Sequence, residues 1–350
     1  MTNPRWVHRP EGSNWGDFGP DDEKGRMNLL TPEVVLKGVA EVKEGLSFCL
    51  SMPLDMPGGN SVNPKRHPPV LHPTKQDGAD YYNFVWDRHS RPGSTDVSAD
   101  DLVVLHTQYS TQWDSLAHFG QLFDADGDGV PEPLYYNGWK AGVDVPDPHA
   151  PNPKAGDGDG RPVVKTPRLG IEKMAESCVQ GRGVMIDLHG HYGNERVNVN
   201  YAMLREVMDK DGVEVEEGDM VLIHTGWDDM ILSMNGEPDA KKLHSSCAVL
   251  DGWDDAMIQW ITDSGLTILV SDNMAVENTD YPGHPEDDNC RLPIHRHCLF
   301  KIGVHLGEIW YLSELKKALK ERGRSRFLLT APPLRLPGSV GSPATPIATI

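Results

Sequence analysis

Short apolar runs, each the length of a β-strand, recur along this chain between stretches of helical spacing. That alternation restricts the fold more than any other feature. Leu102-Val103-Val104-Leu105 is the first run, followed by residues 183–188, 219–225 and 266–270. Runs of four to eight apolar residues bounded by turn signals read as buried strands. Helical patterns lie at 254–263, ahead of the last run, and at 312–322. Thr31-Pro32-Glu33 reads as an N-cap followed by proline in the first turn, which predicts a helix to about residue 42. Strands alternating with helices, without a composition break, predict one mixed α/β domain.

Residues 53–75 hold six prolines and Gly58-Gly59, and are expected to form an irregular loop. Residues 144–163 form a second expected loop, long enough to act as a lid or pocket wall. Gly181-Arg182-Gly183 reads as a turn ahead of a strand. The domain is expected to span residues 1–330. Residues 331–350, with five prolines, would then form an extended arm reaching a neighbouring subunit.

Composition excludes several classes. A net charge of −19 argues against nucleic acid and against an anionic membrane surface, since both are held by clustered Lys and Arg. No apolar run approaches the roughly 18 residues that span a bilayer. Met1-Thr2-Asn3-Pro4-Arg5-Trp6 is not followed by the apolar segment of an export signal. Five scattered cysteines (Cys49, Cys178, Cys247, Cys290 and Cys298) form no CxxC pair, as expected of packing residues in the reducing cytoplasm.

The chemistry concentrates in residues 105–118. His106, Gln108, Ser110, Gln112 and Asp114 are spaced two apart, so an extended chain would project all five from one face. A solvent-facing edge strand shows the same alternation. Here, however, the polar groups are Gln, Asp and His rather than Lys and Glu, and Trp113 and Phe119 point to an interior position. His118 follows closely enough to fold back on the row.

This segment resembles the signature of the metal-dependent cyclase family, which includes bacterial kynurenine formamidase, isatin hydrolase and trans-dienelactone hydrolase. The signature, His-x-Gly-Thr-His-x-Asp-x-Pro-x-His, falls on residues 108–118. Thr111, Asp114, His118 and the following Phe119 match. Ser110 replaces glycine, Leu116 replaces proline, and Gln108 and Gln112 replace both histidines of the His-x-x-x-His pair. The resemblance extends over residues 15–315 through Asn14-Trp15-Gly16, the run from Val221 to Trp227, the run from Ser271 to Glu277, and Leu292-Pro293-Ile294-His295-Arg296. It implies a swivelling β/β/α fold, a small-molecule substrate, a homo-oligomer (dimer or tetramer), and hydrolysis of an amide, imide or lactone. It also implies a divalent metal held by Asp114, His295 and Glu308, with His297 as the alternative histidine because the spacing to Glu308 is one residue long.

Glutamine carbonyls suit manganese better than zinc. Three outcomes therefore stay open. A metal, manganese before zinc, binds through Asp114, His295 and Glu308. Alternatively the site is metal-free, Gln108 and Gln112 polarise the substrate carbonyl, and His118 acts as base, oriented by Asp114 or Glu308. Or the chain only binds a ligand. A lyase or cyclase using the same acid–base groups is the non-hydrolytic variant. His106 is a substitute imidazole for position 108, His224 a structural histidine, and Tyr81, Trp86 and Trp113 candidate aromatic walls. Asp124-Ala125-Asp126-Gly127-Asp128-Gly129 matches half of a calcium loop. Tyr135 stands where that loop needs glutamate, so a solvated acidic turn is expected, with a structural calcium as the alternative.

Overall fold

A computed structural model describes residues 5–148, 163–280 and 290–350. Nine strands build the main sheet: β1 (Ser47–Cys49), β2 (Gln112–Asp114), β3 (Gln180–Asp187), β4 (Met220–His224), β5 (Ile268–Ser271), β6 (His305–Glu308), β7 (Arg326–Thr330), β8 (Gly341–Pro343) and β9 (Ile347–Thr349). Their order is β1-β9-β7-β3-β4-β5-β6-β2-β8. The central four, β3 to β6, are parallel. The flanking strands run antiparallel.

The central strands read as continuous apolar runs because both of their faces are covered. Val184, Ile186, Val221, Ile223, Leu269 and Leu306 face one apolar layer. Met185, Met220, Leu222, Ile268 and Val270 face the other. The first layer is closed by helices α2 (Tyr201–Asp211), through Leu204, Val207 and Met208, and α3 (Asp255–Asp263), through Met257 and Ile261. The helix α4 (Ser313–Glu321) closes the second with Leu315, Ala318 and Leu319. The expected strands at 183–188, 219–225 and 266–270 and the helices at 254–263 and 312–322 are therefore present with shifted ends. Helix α1 (Pro32–Val39) starts as expected, the Thr31 hydroxyl accepting the Val34 amide, but stops short of residue 42.

Four expectations change. Gly181-Arg182-Gly183 lies inside β3, not in a turn. Glycine is needed there by close packing: a Cβ on Gly183 would lie 2.3 Å from the Phe327 ring. The turn precedes it, at Cys178 and Val179, which both take positive φ. Residues 101–106 do not continue into β2. Asp101–Val104 pairs instead with Val70–Gln76, which in turn pairs with Ala79–Tyr81. The Pro-rich loop thus contains a strand. Pro73 is tolerated because only one of its sides is paired at that position, with Asp101.

The C-terminal arm stays on its own chain. β8 pairs with β2, β9 pairs with β7 and β1, and Ala348 and Ile350 are buried in the second layer. Deleting residues 341–350 is therefore expected to abolish cooperative unfolding followed by far-UV circular dichroism. A sharp transition at the full-length temperature would contradict this packing.

Residues 149–162 of the expected lid loop lie outside the described residues. Among the described residues, no helix is long and apolar enough to cross a membrane.

Candidate active site

Period-two alternation does operate in β2, but over three residues only. Gln112 and Asp114 point to one face of the sheet, and Trp113 to the other, where it packs edge-to-face on Trp310 and donates to the Ala331 carbonyl. Register with β6 sets Gln112 opposite Glu308 and Asp114 opposite Leu306. This pairing brings two carboxylates from distant parts of the chain onto one buried surface.

Gln108 arrives by another route. The chain turns at His106–Tyr109, with the Tyr109 amide donating to the His106 carbonyl, and the Gln108 side chain folds back over β2. Its Nε2 donates to Asp114 Oδ1 at 2.6 Å and meets His118 Nδ1 at 2.8 Å. One amide nitrogen serves two acceptors, so Nδ1 of His118 carries the lone pair and Nε2 the proton. His118 is a quarter exposed, and its Nε2 lies 3.9 Å from Asp114 Oδ1. His118 is thus oriented by Gln108, not by Asp114 or Glu308 as expected.

Gln112 Nε2 donates to Glu308 Oε2 at 2.9 Å. The other Glu308 oxygen lies 3.3 Å from His295 Nε2. On the far side of that ring, Nδ1 lies 2.8 Å from Glu277 Oε1, and Glu277 also accepts the backbone amides of Ile294 and His295. Burial alone would discharge the His295 imidazole. Hydrogen bonds to Glu277 and Glu308 outweigh it and raise its pKa to about 10. Burial likewise opposes ionisation of Glu308, yet its contact with His295 holds it below the usual range.

Asp114 differs. Burial pushes its pKa up, and the Glu308 charge adds to this, against the pull of His118, His295 and Gln108. Its Oδ2 is buried and has no hydrogen-bond partner.

The structure thus brings together Gln108, Gln112, Asp114, His118, His295 and Glu308. The remaining candidates fall elsewhere. His297 bonds Thr262 Oγ1 and burial lowers its pKa to about 3. His106 is exposed and packs on His67, so it does not replace an imidazole at position 108. Tyr81 and Trp86 pack around Phe84 in the peripheral strands. His224 bonds Asp187 and Ser313 on the other face of the sheet and lies with Asp228 and Asp272 in a group that could by position hold a cation. Asp124 accepts the amides of Gly127 and Gly129 in a turn, and with Asp126 and Asp128 forms another such group.

Two residues at the site were given no role from the sequence. Glu277 ends one of the runs that carry the resemblance but lies 18 positions before His295, a separation no local motif encodes. Arg66 comes from the Pro-rich loop. Its Nη1 donates to the Gln108 carbonyl at 2.6 Å and to Gln112 Oε1 at 3.4 Å. Backbone strain marks the place as well: Val276 and Ile309, beside Glu277 and Glu308, have φ of 60° and 56°. Left-handed backbone is rare for β-branched residues and gathers at functional sites.

Asp114, His118 and His295 bring one ligand-capable atom each within 4.8 Å of one another, so this group could by position hold a cation. Its chemistry does not fit one. His295 faces a carboxylate at each nitrogen, an arrangement that favours the imidazolium, which has no lone pair to offer. The lone pair of His118 Nδ1 and one oxygen of Asp114 already face the Gln108 amide. The positive charge that Glu277 and Glu308 require is supplied by His295, with Arg66 also lowering Glu308.

Comparison with known proteins agrees with this architecture. A family profile described as putative cyclase matches residues 50–278. A crystal structure described as a novel cyclase is 30% identical, with a TM-score of 0.72 over 97% of this chain and 99% of its own. Isatin hydrolase A from Labrenzia aggregata, bound to benzyl benzoate, shares the fold at 14% identity, with a TM-score of 0.54 over 89% of this chain and 94% of that one. An isatin hydrolase bound to the product analogue thioisatinate is similar at 14% identity and a TM-score of 0.52, over 91% and 99% of the two chains. No curated protein matches. The profile covers well over half of the sequence, in the segment that carries β2 to β5, Glu277 and five of its neighbours at the site, and the chain belongs to the putative cyclase family.

Proposed function

We propose that this protein is a hydrolase that opens an amide, imide or lactone bond of a small, cyclic carbonyl compound without a metal ion. The observation that carries the reading is the unpartnered Oδ2 of Asp114, buried beside His118 in a site where every other carboxylate is paired. A polar atom in that position holds the attacking water. Burial makes Asp114 a stronger base than an exposed carboxylate, and so suited to take a proton near neutral pH.

In the proposed reaction, Asp114 Oδ2 accepts a proton from water while the water oxygen bonds to the carbonyl carbon. The carbonyl π pair moves to oxygen. When that pair returns, the bond to the ring nitrogen or oxygen breaks, and the proton held on Asp114 Oδ2 passes to the leaving atom, to which His118 Nε2 donates a hydrogen bond. The product is the open-chain acid. Asp114 is therefore base and then acid, and His118, expected as the base, is a hydrogen-bond donor because the Gln108 bond occupies Nδ1. Membership of a family whose fold is shared by isatin hydrolases supports the reaction class.

Incubation with a panel of lactones, cyclic imides and formamides, followed by chromatography for the acid product, tests the reading. Opening of at least one ring is expected, and an inert protein across the panel would count against it. Because Asp114 must be ionised to accept a proton, kcat/KM is expected to fall as pH decreases through a midpoint above the ordinary carboxylate value of about 4. A profile flat down to that value would contradict the role of Asp114.

A further inference from the structure

The amide nitrogens of Gln108 and Gln112 face carboxylates and an imidazole, so they are not the donors that receive negative charge from the substrate. Another group must do so. We infer that Arg66 is a further catalytic residue, whose guanidinium holds the carbonyl oxygen as it becomes anionic and then holds the carboxylate of the product. The inference rests on the hydrolytic reading above and names what that site must hold, a carbonyl compound that is released as an acid.

Placement supports it. Arg66 is half-buried and fixed by Nη1 to the backbone of Gln108 and the side chain of Gln112, two residues whose other contacts reach Asp114, His118 and Glu308. Among the described residues, no bond is made by its Nε or Nη2, which leaves donors in the fixed fork that matches a carboxylate. Arg66 also lines a narrow recess with Pro57, Val62, Asn63, Met274 and Ile309. Ile309 directly follows Glu308, so recess and carboxylate site adjoin.

Charge favours an anion beside Arg66. The chain carries −19, and the buried site holds Asp114, Glu277 and Glu308. An acid product would be repelled by these groups unless a cation faced it. A guanidinium in a partly dry site supplies that charge without being lost by deprotonation.

The test is calorimetric titration of the full-length protein with benzoate and with benzamide, its neutral counterpart, beside kcat/KM on any ring opened in the panel. Arg66→Ala is expected to weaken benzoate binding by about 10- to 100-fold while benzamide binding changes little. It is expected to lower kcat/KM by about 10²- to 10³-fold, chiefly through kcat. Arg66→Lys, which keeps the charge but not the fork, is expected to recover part of both. Unaltered benzoate binding in Arg66→Ala would overturn the inference, as would equal losses for benzoate and benzamide, which would mean a loop support only. Failure of the unaltered protein to bind benzoate would also overturn it. If benzoate binds through Arg66 but no ring is opened, the anion site stands and the hydrolytic reading falls.

Discussion

Asp114→Asn is expected to lower kcat/KM for ring opening by about 10²- to 10⁴-fold, the contribution typical of a positioned base. Asparagine keeps the shape of the side chain, so the acceptor for Gln108 at Oδ1 is retained and the fold with it. What disappears is the acceptor at Oδ2, replaced by an amide that holds no proton from water. The loss therefore belongs in kcat, with KM and the unfolding midpoint near their original values. Asp114→Asn with unaltered kcat would remove Asp114 from the chemistry and return the role of base to His118.

His295→Leu is expected to cost about 3–5 kcal/mol of stability, the penalty for leaving buried charges without a partner. Glu277 and Glu308 both lose the cation between them, and neither can reach solvent. The unfolding midpoint in urea reads this directly. The pH dependence has a definite sign. The His295 pKa is raised in the folded chain to about 10 from about 6.5, so its contribution is complete below about pH 6.5 and is lost as pH rises through 10. Stability of the unaltered protein is therefore expected to decline on the alkaline side, and His295→Leu to flatten that decline. Equal alkaline slopes for both proteins would show that His295 is not the cation of the pair.

The central sheet was legible in the sequence because parallel strands covered on both faces must be apolar throughout, as 183–188, 219–225 and 266–270 are. Its edges were not legible. β8 and β9 lie in a proline-rich tail, and β2 has three residues, too few to establish a period against the apolar run at 102–105 that belongs to other strands. Of the site, residues 108–118 could be found because they are local. His295 and Glu308 could be found by resemblance, and of His295 and His297, both buried, only His295 faces two carboxylates. The roles of Glu277 and Arg66 could not be found, since each reaches the site through tertiary packing from a turn or loop. The roles of the glutamines depended on where their amide nitrogens point, which no spacing records.

In the proposed reading, the replacement of two histidines by glutamines turns a position for metal ligands into one that holds carboxylates and an imidazole by hydrogen bonds, and His295 and Arg66 supply the positive charge.

Elemental analysis of untagged protein, with the ring-opening rate measured before and after exhaustive chelation, tests that claim most directly. The account predicts turnover that survives chelation, with manganese and zinc far below one ion per chain. A stoichiometric manganese or zinc ion, with activity lost on chelation and restored by that ion, would contradict it.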